Sequence, residues 1–345
     1  MKGLLYRGAR DIAYGDAPEP MPEDTRSAIV KVTACGICGS DLHIYQGHGF
    51  SDQTGYCVGH EAVGEIVETG SGVSRFRTGD KVMISAAVGC GSCPSCMAGN
   101  MNACEIRGGR CYGLGPGLQG VQSDYAMVPV ADFGLAKIPD GVSEDQAVLL
   151  TDNLPTAWHG LKGADIKPGS TVAVVGCGPI GLMAVEGAYL MGAARVYAVD
   201  LVPERRAMAE TLGAIGLDAS DAKAIIDEQT KGRMCDSVVE CVGADPAIHL
   251  ALKLAKASGT VSCIGVNQSM DFKFPMALAF IKNLTFRTGT CSVPEHWHEL
   301  IPLVQAGKLK PERTISHHMP LSEGAEAYRM FDARENGAMK MILKP

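Results

Sequence analysis

The sequence predicts an α/β protein built from a β-rich first part and a doubly wound parallel sheet. Three observations carry that expectation. Residues 1–153 hold short apolar runs broken by Gly, Pro and Asp, the pattern of strands joined by tight turns. Residues 154–290 alternate strand-like runs with helix-length segments, the rhythm of βαβ units. A glycine-rich turn stands where the first strand of that second part meets its first helix. Residues 291–345 then form a C-terminal segment expected to return to the first part.

Composition excludes several function classes. Hydrophobic residues make up 46% of the 345-residue chain, enough for substantial cores in two domains. The net charge of −7 is spread over interspersed acids and bases. With no basic stripe, neither nucleic acid nor an anionic membrane surface is an expected partner. The opening MKGLLYRGAR has no apolar core of a secretory signal, and no apolar run is long enough to span a bilayer. Of 13 cysteines, five stand in metal-ligand patterns. The others (Cys35, Cys57, Cys111, Cys177, Cys235, Cys241, Cys263, Cys291) sit mostly in apolar runs and read as reduced, buried thiols. A cytoplasmic, reducing compartment is the expected setting.

In chain order, the first strands are AIVKV (28–32), EAVGEIVETG (61–70) and KVMIS (81–85). A short lobe at 88–106 follows, with Cys90, Cys93, Cys96 and Cys104 spaced C-x2-C-x2-C-x7-C. Four thiolates that close together form a tetrahedral S4 site, the structural preference of zinc. Such a site has no open coordination position, so it staples the lobe and performs no chemistry. The lobe is Gly-rich and poor in apolar residues, so it needs a cross-link. An iron–sulfur cluster or unrelated buried cysteines are the alternatives.

The second part opens with the strand TVAVV (171–175), then Gly176-Cys177-Gly178-Pro179-Ile180-Gly181, then a helical segment. Strand before and helix after turn a weak G-x-G-x-x-G pattern into a dinucleotide-binding fingerprint. Gly176 permits the tight turn, Gly178 lets backbone approach a pyrophosphate, and Gly181 lets helix pack on strand. The free N–H groups at the helix N-terminus face the phosphates. Asp200 closes the next strand, RVYAV (195–199), where a carboxylate accepts ribose hydroxyls and repels a 2′-phosphate. NAD is therefore expected over NADP, although Arg205 and Arg206 stand nearby. The strands SVVE (237–240) and TVSCIGV (260–266) follow, and PEHWHELIPLVQAG reads as a late helix.

Two further segments carry ligand-type residues: Cys35-Gly-Ile-Cys38-Gly-Ser40-Asp41-Leu-His43, and Gly59-His60-Glu61 with Gly64, Gly70 and Val73. Cys35 and Cys38 lack the context of a redox pair, and a lone His60 is more often a satisfied core histidine than a ligand. Together, however, these segments resemble the zinc-dependent medium-chain alcohol dehydrogenases. The likeness runs from about residue 25 to the C-terminus, and the signature G-H-E-x2-G-x5-G-x2-V is present without a mismatch at 59–73. The cysteine lobe and the dinucleotide motif follow in the family's order.

The resemblance implies a GroES-like catalytic domain joined to a Rossmann domain, with two zinc ions per chain and NAD. It assigns a catalytic zinc to Cys38, His60 and Asp152, with Glu61 as an alternate ligand, and leaves Cys35 a buried thiol. A helix N-cap is the competing role for Asp152. Zinc acts in this family as a Lewis acid during hydride transfer between alcohol and nicotinamide. Ser40 and His43 match the family's proton relay. Thr156 matches a nicotinamide contact and Arg205 an adenosine contact. Val242, Gly243, Ile264, Gly265 and Val266 end later strands at the carboxyl edge, where dinucleotides bind.

The implied activity is oxidation of a primary or secondary alcohol to an aldehyde or ketone, and its reverse. The segment from Cys111 to Gln122 resembles a branch with glutathione-independent formaldehyde dehydrogenases, but their longer insertion is missing. Threonine and polyol dehydrogenases share the motifs. A zinc-free quinone or enone reductase, or a non-enzymatic dinucleotide-binding protein, is disfavoured because no zinc ligand is lost. The apolar run NLTFRTGT (283–290) suggests subunit pairing, as homodimer or homotetramer.

Overall fold

Strand Ala28–Ile37 lies at the heart of the β-rich part. In a computed structural model describing residues 1–345, it pairs antiparallel with Glu61–Thr69, Tyr125–Val128 and Met341–Lys344. Its sheet has seven strands, and Lys81–Ile84 and Leu135–Lys137 extend it on one side. His317–Pro320 pairs with the C-terminal strand on the other. The buried residues Val30, Val32, Ile66, Val82 and Ile84 belong to one core cluster with Tyr328 and Phe331 of helix Gly324–Ala333. This unit comprises Met1–Pro155 and Cys291–Pro345. The expected late helix forms over Val293–Gln305.

The second unit, Thr156–Thr290, holds six parallel strands. Their spatial order is Ile215–Leu217, Arg195–Val199, Thr171–Val175, Cys235–Glu240, Ala255–Cys263, Thr285–Thr288. Numbered along the chain this is 3-2-1-4-5-6, the doubly wound order of dinucleotide-binding sheets. The central strands Thr171–Val175 and Arg195–Val199 are almost continuously apolar, as expected where helices such as Pro179–Leu190 pack against the sheet. The order reverses between Thr171–Val175 and Cys235–Glu240, so the binding edge lies at the carboxyl ends of these two strands.

The fold class is as expected, but some elements differ in extent. The run TVSCIGV ends as a strand at Cys263, because Ile264 and Gly265 turn their N–H groups back onto the Glu240 carbonyl at 2.9 and 3.1 Å. The first expected strand continues to Ile37, with irregular register near Val30 and Ala34. The edge strand Thr285–Thr288 covers only half of the run NLTFRTGT and is largely exposed. No helix is long and apolar enough to cross a membrane.

Glycine is required at the dinucleotide turn. Gly176 has φ +93°, and a Cβ on Gly181 would stand 1.8 Å from the Gly176 carbonyl oxygen. Gly181→Ala must push the helix off the strand, an overpacking cost of about 1–3 kcal/mol. The expected result is a lower melting temperature and weaker binding of NADH, measured by calorimetry and fluorescence titration. A variant with wild-type values in both would contradict the packing.

Candidate metal centre

The pairing register of two strands builds the site. Gly36 stands opposite Glu61, so the turn after Ile37 lies beside the residues that open strand Glu61–Thr69. That turn, Cys38-Gly39-Ser40, leads into the short helix Asp41–Tyr45. Asp41 is fully buried, and its Oδ2 accepts the Cys38 N–H at 2.9 Å. Its Oδ1 lies 3.1 Å from His60 Nδ1. That contact has the distance of an ion pair without the alignment of a hydrogen bond, since neither atom has a hydrogen-bond partner. Asp41 thus leaves Nε2 as the nitrogen of His60 turned toward the other donors.

Asp152 arrives from a third direction. Helix Glu144–Leu149 begins in a capping box between Ser143 and Gln146, and Asp152 follows it by one turn of chain. Its Oδ2 lies 3.5 Å from Cys38 Sγ and 3.7 Å from His60 Nε2. Ligand atoms of Cys38, His60, Glu61 and Asp152 all fall within 4.8 Å of one another. Ser40 Oγ is 3.3 Å from His60 Nε2. Cys35 is buried outside this group, with Sγ 3.6 Å from the Leu343 carbonyl.

The electrostatics suit a divalent cation. Burial raises the Cys38 thiol, and the Asp152 and Glu61 charges raise it further. Burial alone lowers the His60 imidazole, but Asp41 and Asp152 outweigh it and hold the group well above its ordinary value. Burial raises Asp152, yet His60 draws its carboxyl below the usual range. These shifts mark an anion-rich, water-poor pocket. One thiolate, one imidazole and carboxylate oxygens form a donor set that zinc accepts.

Glu61 is held from both sides. Its Oε1 accepts from Asn153 Nδ2 at 2.7 Å, and its Oε2 pairs with Lys340 Nζ. Lys340 is buried and also donates to the Ile37 carbonyl at 3.1 Å. Burial pushes the Glu61 carboxyl up, and Lys340 opposes that rise. Asn153 Nδ2 also reaches Asp152 Oδ2 at 3.2 Å. A further chain of bonds supports Asp41: Tyr328 donates to Gln122 Oε1 at 2.9 Å, and Gln122 Nε2 donates to the Gly36 carbonyl at 2.9 Å and lies 3.5 Å from Asp41 Oδ2. His43 is half-buried on the same short helix as Asp41; its N–H reaches the Ser40 carbonyl at 3.2 Å.

Sequence reasoning missed Asp41, Asn153 and Lys340. Asp41 stood in plain view, three residues after Cys38 in the quoted motif. Asn153 adjoins Asp152 but carries no pattern of its own. Lys340 lies 279 positions from Glu61, and no local signal joins them.

The cysteine lobe is a second donor group. Cys90, Cys93, Cys96 and Cys104 are buried with sulfurs within 4.8 Å of one another. Backbone N–H groups of Ser92 and Cys93 point at Cys90 Sγ (3.4 and 3.2 Å), and those of Cys90 and Arg107 at Cys104 Sγ (3.3 and 3.2 Å). Burial raises the Cys90 thiol, but these donors overcome it and bring it to about 6. Thiolates so supported fit a closed metal site.

In the second unit, the two oxygens of Asp200 brace backbone. Oδ2 accepts the Cys177 N–H at 2.7 Å and Oδ1 the Val202 N–H at 2.8 Å. Each oxygen keeps a lone pair for a further donor. Helix Pro179–Leu190 starts at Gly178 with no side-chain cap. The Arg205 guanidinium lies 3.9 Å from where a Gly178 Cβ would stand, whereas Arg206 bonds Asp218 at 2.9 Å. Val242, Gly243, Ile264, Gly265 and Val266 form adjoining turns at the carboxyl edge. Thr156 lies in the first turn of helix Asn153–Gly163.

Comparisons with known proteins agree with this chemistry. The alcohol dehydrogenase GroES-like domain matches residues 24–140, and the zinc-binding dehydrogenase domain matches residues 179–306. The whole chain is 40% identical to 89% of a Mycobacterium tuberculosis protein named a probable zinc-binding alcohol dehydrogenase. It is 32% identical to a zinc-type alcohol dehydrogenase-like protein of Bacillus subtilis, with both chains covered in full. Among solved structures, the alcohol dehydrogenase TADH of Thermus sp. ATN1 has a TM-score of 0.93 at 36% identity, over 100% of this chain and 99% of that one.

The buried Glu61–Lys340 pair makes a stability prediction. Lys340→Met leaves the carboxylate without its cation, a change that costs about 3–5 kcal/mol when one partner of a buried pair is removed. A thermal melt should show a large fall in midpoint. An unchanged midpoint would show that Lys340 is not the counter-charge.

Proposed function

The chain belongs to the zinc-binding, medium-chain alcohol dehydrogenases, and we propose that it transfers hydride reversibly between a primary or secondary alcohol and NAD, using zinc held by Cys38, His60 and Asp152. The observation that carries this reading is the convergence of one sulfur, one imidazole and one carboxylate within 4.8 Å. Three protein ligands leave a tetrahedral ion one open position. Zinc bound there supplies Lewis acidity toward an alcohol or carbonyl oxygen. A second zinc in the Cys90, Cys93, Cys96 and Cys104 lobe serves structure alone.

The remaining steps fall to side chains. Asp41 orients the His60 ring. Ser40, 3.3 Å from His60 Nε2, receives the hydroxyl proton of the substrate. His43 takes the proton onward; burial and His48 hold it below the ordinary imidazole value, so it is neutral and able to accept at pH 7. Glu61, restrained by Asn153 and Lys340, serves as a reserve metal ligand. Asp200 favours NAD by accepting ribose hydroxyls, and Arg205 stands by the glycine turn.

A homo-oligomer is part of the reading. Thr285–Thr288 ends the six-stranded sheet with one edge unpaired, and Met276, Phe280 and Ile281 of helix Met276–Ile281 are exposed nearby in sequence. A second copy covers such an edge.

Two experiments test this function. A panel of alcohols, aldehydes and ketones with NAD(H) and NADP(H) should show turnover with clear preference for NAD(H). Preference for NADP(H), or no turnover with any member, would refute the assignment. In the second, metal analysis should find about two zinc ions per chain, one for each donor group. His60→Ala should retain only the lobe zinc and lose activity. Ser40→Ala should keep both ions while its rate falls by about 10²–10⁴. A Ser40→Ala enzyme with undiminished rate would remove Ser40 from the proton path.

A further inference from the structure

The parallel sheet buries a carboxylate that has no cation. Glu240 is fully buried at the end of strand Cys235–Glu240, at the switch point of the sheet. An unpaired buried carboxylate is costly unless hydrogen bonds satisfy it. Burial pushes its carboxyl above the usual range, and the only opposing groups are a thiol and two backbone N–H groups. None of the expected cofactor contacts includes it.

Its bonds show what it holds. Oε1 accepts from Val242 N–H at 2.8 Å and Gly243 N–H at 2.9 Å. Oε2 accepts the Cys263 thiol at 3.1 Å. The Glu240 carbonyl accepts from Ile264 and Gly265, and the following Cys241 N–H reaches the Val175 carbonyl at 2.9 Å. In register, Glu240 faces Val175 on one side and Cys263 on the other, the last residues of both neighbouring strands.

The turn it fixes packs against two others. A Cβ on Gly243 would meet the Val266 carbonyl oxygen at 2.2 Å, and one on Gly265 would meet the Gly243 nitrogen at 2.0 Å. Val242, 47% exposed, lays Cγ2 2.5 Å from the position of a Cβ on Gly176. Gly176 is the first residue of the dinucleotide turn. One side chain therefore ties three strand ends to the loop expected to meet a pyrophosphate.

We propose that Glu240 is a positioning residue for the dinucleotide: by clamping the Val242–Gly243 turn it pre-shapes the carboxyl edge on which the cofactor is seated. This rests on the dinucleotide site of the proposed function. A pre-shaped turn spares the ligand the cost of ordering it, so loss of the clamp appears in affinity. A role in folding alone would appear in melting temperature and leave affinity intact.

The test compares wild type, Glu240→Ala, Glu240→Asp and Glu240→Gln for binding of NADH and ADP-ribose by titration, with zinc content and melting curves alongside. Glu240→Ala should weaken both ligands by about tenfold or more, with zinc content and KM for alcohol unchanged. Glu240→Gln, which keeps an acceptor for both N–H groups, should stay within about threefold. Should Glu240→Ala fail to fold, Glu240→Asp decides, because it keeps the charge but withdraws the oxygens by one methylene; weakened binding is again expected. Folded Ala or Asp variants that bind both ligands within about twofold of wild type overturn the inference. If wild type itself binds neither ligand, the dinucleotide site is what has failed.

Discussion

The antiparallel register between Ala28–Ile37 and Glu61–Thr69 is the constraint on which the metal centre depends. Setting Gly36 opposite Glu61 brings Cys38 and His60 side by side, although 22 positions of chain separate them. A slip of one residue would send every side chain of one strand to the opposite face. The backbone itself forbids easy slippage. A Cβ on Gly64 would stand 2.1 Å from the Lys31 carbonyl, and one on Gly36 the same distance from Glu61 Oε2. Gly64 of the family signature and Gly36 on the facing strand thus secure the geometry that the signature's histidine uses.

The second determinant is charge. Asp41, Glu61 and Asp152 crowd one buried pocket with a thiol and an imidazole. Carboxylates this close repel one another unless cations intervene. Lys340 pairs with Glu61, and the donor set is shaped for a further cation. Asn153 and the Gln122–Tyr328 pair contribute no charge, but they satisfy lone pairs that burial would otherwise leave empty. The two units meet this problem differently. Glu61 is matched by an ammonium group, whereas Glu240 is matched only by N–H and S–H donors.

Much of this was legible in residue order. The cysteine lobe, the glycine turn and the 59–73 signature each place chemically specific residues at short spacings that only a few geometries satisfy. Asp200 was legible as a strand-end carboxylate, yet its bonds to Cys177 and Val202 were not, because a ribose contact and a loop brace need the same residue at the same place. Lys340 and Glu240 were illegible for a shared reason. Their partners are set by tertiary pairing: Lys340 arrives beside Glu61 through the C-terminal strand, and Glu240 meets Cys263 through a neighbouring parallel strand. The end of the strand at Cys263 was hidden too, since Ile264 and Gly265 continue an apolar run and only their bonds to Glu240 end it.

A metal ion at the junction of Cys38, His60 and Asp152 is the central requirement of this chemistry, and anomalous diffraction at the zinc absorption edge tests for it most directly. Crystals of the purified protein should give a peak about 2.0–2.3 Å from the sulfur, the imidazole nitrogen and the carboxylate oxygen, and another at the centre of the four-cysteine lobe. A single peak in the lobe, with no density between Cys38 and His60 in protein saturated with zinc, would contradict it.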